Sequence, residues 1–304
     1  MIEVTDLRKE YGGFTAVEGS SFSIERGEVF GIVGHNGAGK TTTLKMLAGL
    51  IEPTGGTAVV AGHPAGAPAM QRRLGFLPEQ SPLYEEMTPI SYLEFFADLY
   101  DVPKSVASER IDDILDRLDL EHRDRELGNM SKGMKRKVAI ARALVNDPDV
   151  LIFDEPASGL DPLTTNYILE FTSELTDEGK TVVFSAHNLF HVESICDRLV
   201  IMSEGTIVAR GTIDDIRSRY GGRTYHVTST LGANGAVVGP DAVDAAVTEY
   251  ARENGHCRYV VTDMDGVDAV RTAVEAVGGR VTDIETKTPS LEQIFLEVAD
   301  EATA

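Results

Sequence analysis

Residues 34–41 are the part of this sequence that most restricts how the chain can fold. They read Gly-His-Asn-Gly-Ala-Gly-Lys-Thr and match the pattern G-x-x-x-x-G-K-[ST]. A short apolar run at residues 29–33 precedes them, and a helix is predicted over residues 42–50. The glycines allow the backbone to wrap around a phosphate group, with N–H groups and the helix N-terminus facing the negative charge. The order of strand, loop and helix therefore predicts an α/β fold with a phosphate-binding loop.

This loop also predicts which residues contact a nucleotide. Lys40 is placed to reach the β and γ phosphates, and the hydroxyl of Thr41 to bind Mg²⁺. The candidate nucleotide-binding residues of this segment are Gly34, His35, Asn36, Gly37, Ala38, Gly39, Lys40, Thr41 and Thr42. The loop by itself is compatible with kinases, GTPases, helicases and transporters, so other motifs must decide between these classes.

A second motif is an apolar strand that ends in two carboxylates. Residues 150–155 read Val-Leu-Ile-Phe-Asp-Glu, and a parallel sheet holds such an acidic pair at the mouth of its strands. We expect Asp154 to hold the metal ion through its water shell, and Glu155 to polarise the attacking water. Residues 181–185 form a third short apolar run, which we assign to the same sheet as residues 29–33.

Two further regions of the chain show different periodicities. Near the start, alternating apolar residues on either side of a Gly12-Gly13 turn predict half-buried strands. Between residues 71 and 127, apolar residues recur at helical spacing, which predicts a helical insert.

The residues around the acidic pair resemble those of one family. Residues 154–156 (Asp-Glu-Pro) and 158–162 (Ser-Gly-Leu-Asp-Pro) resemble the Walker B motif and the D-loop of ABC ATPases. Residues 130–134 (Met-Ser-Lys-Gly-Met) resemble the family's signature in its SKGM form, whereas the commoner form is LSGGQ. Lys132 and Met134 depart from the commoner glycine and glutamine, so only Ser131 and Gly133 are carried over. The resemblance covers residues 2–219 and includes the family's motifs in order.

The resemblance implies a dimer that encloses ATP. Ser131 and Gly133 of one subunit, at a helix N-terminus, would complete the nucleotide site of the other. Asp161 of the D-loop is implied to belong to the same site. His187, in the segment Phe-Ser-Ala-His-Asn, resembles the family's switch histidine.

The catalytic residues implied are therefore Glu155, His187 and Lys40. Tyr11 lies in the first hairpin, where the family keeps an aromatic residue that stacks on adenine. In the Q-loop, Glu79 takes the place of the usual glutamine, and Gln80 follows it. Either residue could fill that role, which includes binding Mg²⁺ together with Thr41 and Asp154.

The last part of the chain predicts a small α/β domain. Strands are predicted over residues 225–228, 259–262 and 280–285, and helices over residues 242–252, 267–277 and 291–298. Residues 288–296 resemble a short C-terminal motif of exporter ATPases. The predicted organisation is a P-loop NTPase of the ABC ATPase type over residues 1–220, with a parallel core sheet, an antiparallel β-subdomain and a helical insert. A small accessory domain over residues 221–304 follows it.

Composition restricts the partners. The chain carries 49 acidic and 28 basic residues, and this net charge of -21 predicts no nucleic-acid ligand. No run approaches the roughly 18 apolar residues that cross a bilayer, so we expect a cytoplasmic protein on the inner face of the cell membrane. Cys196 and Cys257 have no neighbours at zinc-ligand spacing.

The predicted function is the ATPase subunit of an export-type ABC transporter. It would act with an integral membrane permease, as a homodimer or as a heterodimer with a related ATPase. The alternatives are a soluble ABC ATPase that acts on ribosomes or DNA, and a non-hydrolysing regulatory module. The first lacks support because the chain has one nucleotide-binding unit and no long heptad insert, and the second because Lys40, Asp154, Glu155 and His187 are all present.

Overall fold

The computed structural model of the chain describes residues 1–220, 222–245, 247–253 and 255–296. The strands are β1 (Ile2–Tyr11), β2 (Phe14–Ile24), β3 (Val29–Gly34), β4 (Gly55–Val60), β5 (His63–Pro64), β6 (Leu74–Leu77), β7 (Val150–Asp154), β8 (Thr181–Ala186), β9 (Arg198–Ser203), β10 (Thr206–Thr212), β11 (Thr224–Thr230), β12 (Glu249–Glu253), β13 (His256–Val261) and β14 (Val281–Lys287). The α-helices are α1 (Lys40–Leu47), α2 (Pro68–Gln71), α3 (Pro89–Leu99), α4 (Lys104–Arg117), α5 (Lys132–Leu144), α6 (Pro162–Asp177), α7 (Leu189–Ile195), α8 (Ile213–Tyr220), α9 (Met264–Ala276) and α10 (residues 291–296).

A mostly parallel sheet organises the first part of the chain. Its strand order is β10-β9-β3-β8-β7-β6, and only the β9–β10 pair is antiparallel. Every residue of β3, β7 and β8 is buried, as expected for strands covered on both faces. The three predicted apolar strands are therefore confirmed. They are neighbours in the sheet, so their carboxyl ends open at one edge.

Two smaller elements complete this part of the chain. The predicted antiparallel β-subdomain is confirmed, with the strand order β2-β1-β4-β5. Gly12 and Gly13 form the turn between β1 and β2, and their φ values of 53° and 96° favour glycine. The predicted helical insert is confirmed by α3 and α4, which contact each other and α5. A capping box at Thr88 and Ser91 starts α3.

The chain divides into two compact units between Ile213 and Asp214. The domain boundary predicted between residues 220 and 221 lies at the end of α8 and stays a prediction.

The second unit contains an antiparallel sheet with the order β12-β13-β11-β14. The valines of α9 form one core cluster with Val227 of β11 and with Tyr259 and Val261 of β13. The predicted strands and the helix over residues 267–277 are confirmed by β11, β13, β14 and α9. The last predicted helix is present over residues 291–296, and its remaining residues lie outside the described part of the chain.

The helix predicted over residues 242–252 is wrong. A short 3₁₀ turn at Pro240–Ala242 is followed by strand β12, which pairs with β13. Val243 is buried in the core of this unit, and Ala245 and Val247 pack against it. These residues recur at a spacing of two, which does not match the spacing of three or four along one face of a helix.

Candidate functional site

Several of the predicted site residues converge at the carboxyl edge of the parallel sheet. β3 leads into the phosphate-binding loop, β7 ends at Asp154, and β8 ends just before His187. Because β3, β8 and β7 are adjacent, the three chain segments that follow them meet at the place where α/β sheets bind ligands.

The loop before α1 depends on glycine at two positions. Gly39 precedes the helix with a φ of +99°, and a Cβ atom there would lie 2.6 Å from the carbonyl oxygen of Ala16. A Cβ atom at Gly34 would lie 2.4 Å from the carbonyl oxygen of Met202. Both distances are too short for any side chain, so only glycine fits at these two positions. The N-terminus of α1 therefore carries no side chain at Gly39 that could cover its N–H groups.

The ammonium group of Lys40 lies inside the loop. It donates hydrogen bonds to the carbonyl oxygens of Gly34 (2.7 Å) and His35 (3.2 Å), and it lies 3.8 Å from Oε1 of Glu155. Burial lowers the pKa of Lys40, although the charges of Glu155, Asp154 and Glu79 act in the opposite direction. The side chain therefore holds a poorly hydrated charge at the place where a phosphate group would neutralise it.

Asp154 and Thr41 form an oxygen-rich corner beside the loop. The hydroxyl of Thr41 lies 3.4 Å from Oδ1 of Asp154, and the buried hydroxyl of Ser185 donates to the same oxygen at 2.7 Å. A hydroxyl and a carboxylate oxygen are suitable ligands for Mg²⁺. Among the described residues no group of three or more His, Cys, Asp and Glu side chains is suited to a metal ion.

Glu155 is held in an uncommon conformation. Its φ of +48° lies in the left-handed region, and its backbone N–H donates to the hydroxyl of Ser185 at 3.0 Å. Its Oε2 lies 2.6 Å from Nδ1 of His187, which is hydrogen-bonding distance. Sequence reasoning missed Ser185, which connects both acidic residues. The only signal for it was its place at the end of a predicted strand.

The phosphate-binding loop lines a cavity of about 510 Å³ together with Glu79, Glu155 and His187. Its walls include the predicted residues His35, Asn36, Gly37, Gly39, Lys40, Thr41, Thr42, Glu79, Glu155 and His187. Ala16, Ser158 and Phe14 also line it. Gly34, Ala38, Asp154 and Gln80 are not among the lining residues, although Asp154 contacts Thr41 from behind the wall.

The aromatic residue at this cavity is Phe14, and Tyr11 is not one of the lining residues. Tyr11 lies on the other strand of the same hairpin, where the ammonium group of Lys9 is 5.1 Å from the centroid of its ring. Phe14 is 65% exposed and so has a free ring face. The signal that could have found Phe14 is its place beside the same glycine turn.

Ser131, Gly133 and Asp161 do not line this cavity. Ser131 caps α5 by accepting a hydrogen bond from the N–H of Met134, and Asp161 caps α6 by accepting one from the N–H of Thr164. A Cβ atom at Gly133 would lie 3.2 Å from the side chain of Thr164, so the start of α5 lies close to α6. Within one chain the structure separates the signature residues from the phosphate-binding loop.

Comparison with known proteins identifies the family. Residues 17–158 match the ABC transporter family, and the chain is 36% identical over 306 residues to an uncharacterized ABC transporter ATP-binding protein of Nostoc sp.. That alignment covers 97% of this chain and 89% of the relative. This chain belongs to the family of ABC transporter ATP-binding proteins.

Other ABC proteins resemble the chain over most of its length. It is 32% identical over 304 residues to the linearmycin resistance ATP-binding protein LnrL of Bacillus subtilis, with 98% of each chain covered. Residues 211–299 match the C-terminal domain of DrrA1-3-like ATP-binding proteins.

The fold is that of known ABC cassettes. The dimeric structure of a bacterial ABC transporter cassette superposes with a TM-score of 0.65 at 25% identity, covering 70% of this chain and 99% of that one. In the described part of the chain, no helix has both the length and the apolar character needed to cross a membrane.

Proposed function

We propose that this ABC ATPase binds MgATP between two protomers and uses its hydrolysis to drive export through a separate integral membrane permease. The observation that carries the proposal is the proximity of Lys40, Asp154, Glu155 and His187 at the carboxyl edge of the parallel sheet. Phosphoryl transfer needs a positive charge, a metal ligand and a group that orients water, and these residues supply all three.

The chemistry follows from the two contacts of Glu155. Lys40 binds the β and γ phosphates, and Glu155 lies 3.8 Å from its ammonium group, within reach of a water that attacks the γ-phosphate. His187, bonded to the second oxygen of Glu155, orients that carboxylate and stabilises charge on the phosphate. Thr41 and Asp154 would hold Mg²⁺, which neutralises the phosphate oxygens when bound.

The cavity bears on two predicted contacts: the Q-loop residue, which the sequence left open between Glu79 and Gln80, and the adenine-stacking residue, for which the sequence predicted Tyr11. Glu79 lines the cavity and Gln80 does not, which favours Glu79 over Gln80 as the additional residue near Mg²⁺. In the same way, the place of Phe14 on the wall favours Phe14 over Tyr11 as the residue that stacks on adenine.

Dimer formation explains why the signature residues lie away from the loop of their own chain. Ser131, Gly133 and Asp161 would contact ATP bound to the second protomer, with the N-terminus of α5 directed at its phosphates. The dimeric cassette of the same fold supports this arrangement. The partner is either a second copy of this chain or a related ATPase.

Export is supported by a relative of Ralstonia nicotianae whose name, Nod factor export ATP-binding protein I, states that role, at 38% identity over 214 residues. The permease would contact an exposed apolar patch on the helical insert. Tyr84, Phe95 and Leu99 are 56%, 41% and 63% exposed, and the rings of Tyr84 and Phe95 lie 5.9 Å apart. Patches of this kind on a soluble domain mark binding surfaces.

Replacement of Glu155 by glutamine tests the proposed function. Glu155→Gln should keep ATP binding and produce a stable ATP-bound dimer, whereas turnover should fall to background because the base is lost. Steady-state phosphate release and size-exclusion chromatography with MgATP measure the two properties. Glu121→Gln is the matched control, since it removes an exposed carboxylate and should leave both properties unchanged. Wild-type turnover in Glu155→Gln would refute the assignment.

A further inference from the structure

Arg136 connects the three segments that surround the catalytic carboxylates. It lies on α5, one turn after the signature residues, and is 8% exposed. Nε donates to the carbonyl oxygen of Pro156 at 2.7 Å, and Nη2 donates to those of Asp154 (3.1 Å) and Glu155 (2.8 Å).

The remaining nitrogen of Arg136 reaches the loop that follows β6. Nη1 donates to the carbonyl oxygens of Pro78 (2.9 Å) and Glu79 (3.0 Å) and lies 3.4 Å from the hydroxyl of Ser81. The guanidinium group thus contacts this loop, defined as residues 78–81, and the end of β7 at the same time. Both segments are joined through it to the signature helix.

These acceptors indicate a role beyond filling space. They are mainly main-chain carbonyl oxygens, so the bonds restrain the backbone path, and a planar group with several fixed donors suits this better than a lysine. A buried guanidinium is also costly, and burial lowers the pKa of Arg136 to about 10. An apolar residue of similar length would avoid that cost if only packing were required.

The conformation of Glu155 shows what these bonds could maintain. Its φ of +48° is unfavourable for a residue with a side chain, and persists only where the surroundings determine it. Arg136 binds the carbonyl oxygens of Asp154, Glu155 and Pro156, which span this strained position.

We propose that Arg136 is a positioning residue that holds Glu155 in its catalytic geometry and couples it to the loop at residues 78–81. This inference rests on the proposed function, because it assigns a positioning role in the hydrolysis carried out by Glu155. Displacement of the loop would move the guanidinium group and, through it, the backbone of Glu155. Binding of ATP itself involves the phosphate-binding loop, to which Arg136 makes none of its hydrogen bonds.

The test compares Arg136→Met, Arg136→Lys and the control Arg142→Met on the same helix. Arg142 donates to the hydroxyl of Tyr92 at 3.2 Å and lies 5.5 Å from the ring centroid of Phe96, so these contacts are not to residues 78–81 or 154–156. For each variant, kcat for ATP hydrolysis per folded molecule, the Kd for ATP and the Tm are measured with the full chain.

Positioning predicts a specific pattern. Arg136→Met should lower kcat by about 10- to 100-fold, because misplacement of a catalytic group by about 1 Å has an effect of this size. Its Kd for ATP should stay within about threefold of wild type, since ground-state binding is not changed. Arg136→Lys, which keeps the charge and part of the hydrogen bonding, should have an intermediate kcat. Arg142→Met should keep wild-type kcat whatever its Tm.

A purely structural role predicts another pattern and would overturn the inference. In that case Arg136→Met would have a lower Tm but a wild-type kcat per folded molecule, or its kcat and its affinity for ATP would decrease together. If Arg136→Met does not fold, Arg136→Lys decides, and failure of both to fold would also overturn the inference.

The same assay separates this inference from the proposed function. Absence of hydrolysis by the wild type, or hydrolysis by Glu155→Gln, would refute the function and the inference with it. Hydrolysis that requires Glu155 but is unaffected by Arg136→Met would refute the inference alone.

The coupling to the loop has its own readout. Ser81→Ala removes the hydroxyl that lies 3.4 Å from Nη1 of Arg136. Its effect on kcat should be smaller in the Arg136→Met background than in the wild type, because this contact is already absent there. Additive effects of the two substitutions would contradict the coupling.

Discussion

Ser185 is a sharp test of how the acidic motif is held together. Its hydroxyl donates to Oδ1 of Asp154 at 2.7 Å and accepts from the N–H of Glu155 at 3.0 Å, and the residue is fully buried. Ser185→Ala removes a hydrogen bond to a charged group, worth about 1.5–3 kcal/mol, and leaves a buried N–H without a partner, which costs about 1–3 kcal/mol. We expect the free energy of unfolding to fall by about 3 kcal/mol.

Thermal unfolding measures this effect. For a unit of this size, about 3 kcal/mol corresponds to a decrease in Tm of roughly 6–12 °C. Turnover should also fall, since Asp154 and Glu155 lose the group that fixes both. Ser194→Ala is the matched control, because it removes a serine hydroxyl that donates to a carbonyl at an exposed position, and it should change the stability by less than about 0.5 kcal/mol. A decrease in Tm of similar size in both variants would show that the buried hydrogen bonds of Ser185 add no more stability than an exposed one.

Three further predictions follow from other contacts. Burial lowers the pKa of Lys40 in the folded chain below its value of 10.5 in the unfolded chain. Between these two pKa values the unfolded chain binds more protons, so the free energy of unfolding rises with pH. Urea unfolding should therefore show a difference in stability between wild type and Lys40→Met that increases with pH in this range. A flat or falling difference would contradict this sign. Phe14→Ala should weaken ATP binding measured by fluorescence titration more than Tyr11→Ala, and the reverse order would favour Tyr11 as the stacking residue. Tyr259→Phe should destabilise the second unit by about 1 kcal/mol in chemical unfolding, because the buried hydroxyl donates to the carbonyl of Val238 at 2.8 Å; an unchanged midpoint would refute this.

Much of the site could be predicted from the sequence because its parts are local. The phosphate-binding loop needs glycines and a lysine within eight consecutive residues, and the strands that carry it and the acidic pair are short apolar runs. Each of these signals lies within one segment and does not depend on distant parts of the chain. The strands at residues 29–33, 150–153 and 181–185 were confirmed for this reason.

The second unit shows where periodicity misleads. Residues 242–252 were predicted to be helical, but the chain forms β12, because β13 offers a free edge for hydrogen bonding. The choice between helix and strand depended on a neighbour that the local pattern does not contain.

The sequence by itself determined the chemistry of this protein: a loop for phosphate, two carboxylates after a strand, and a histidine after another, in the order of an ABC ATPase. Only the tertiary structure decided how these parts are held. Ser185 binds a carboxylate 31 positions earlier in the chain, and Arg136 binds the carbonyl oxygen of Pro78, 58 positions earlier. Phe14 rather than Tyr11 reached the cavity wall. Motifs can be read along one segment, whereas contacts between distant side chains depend on how strands and helices pack in three dimensions.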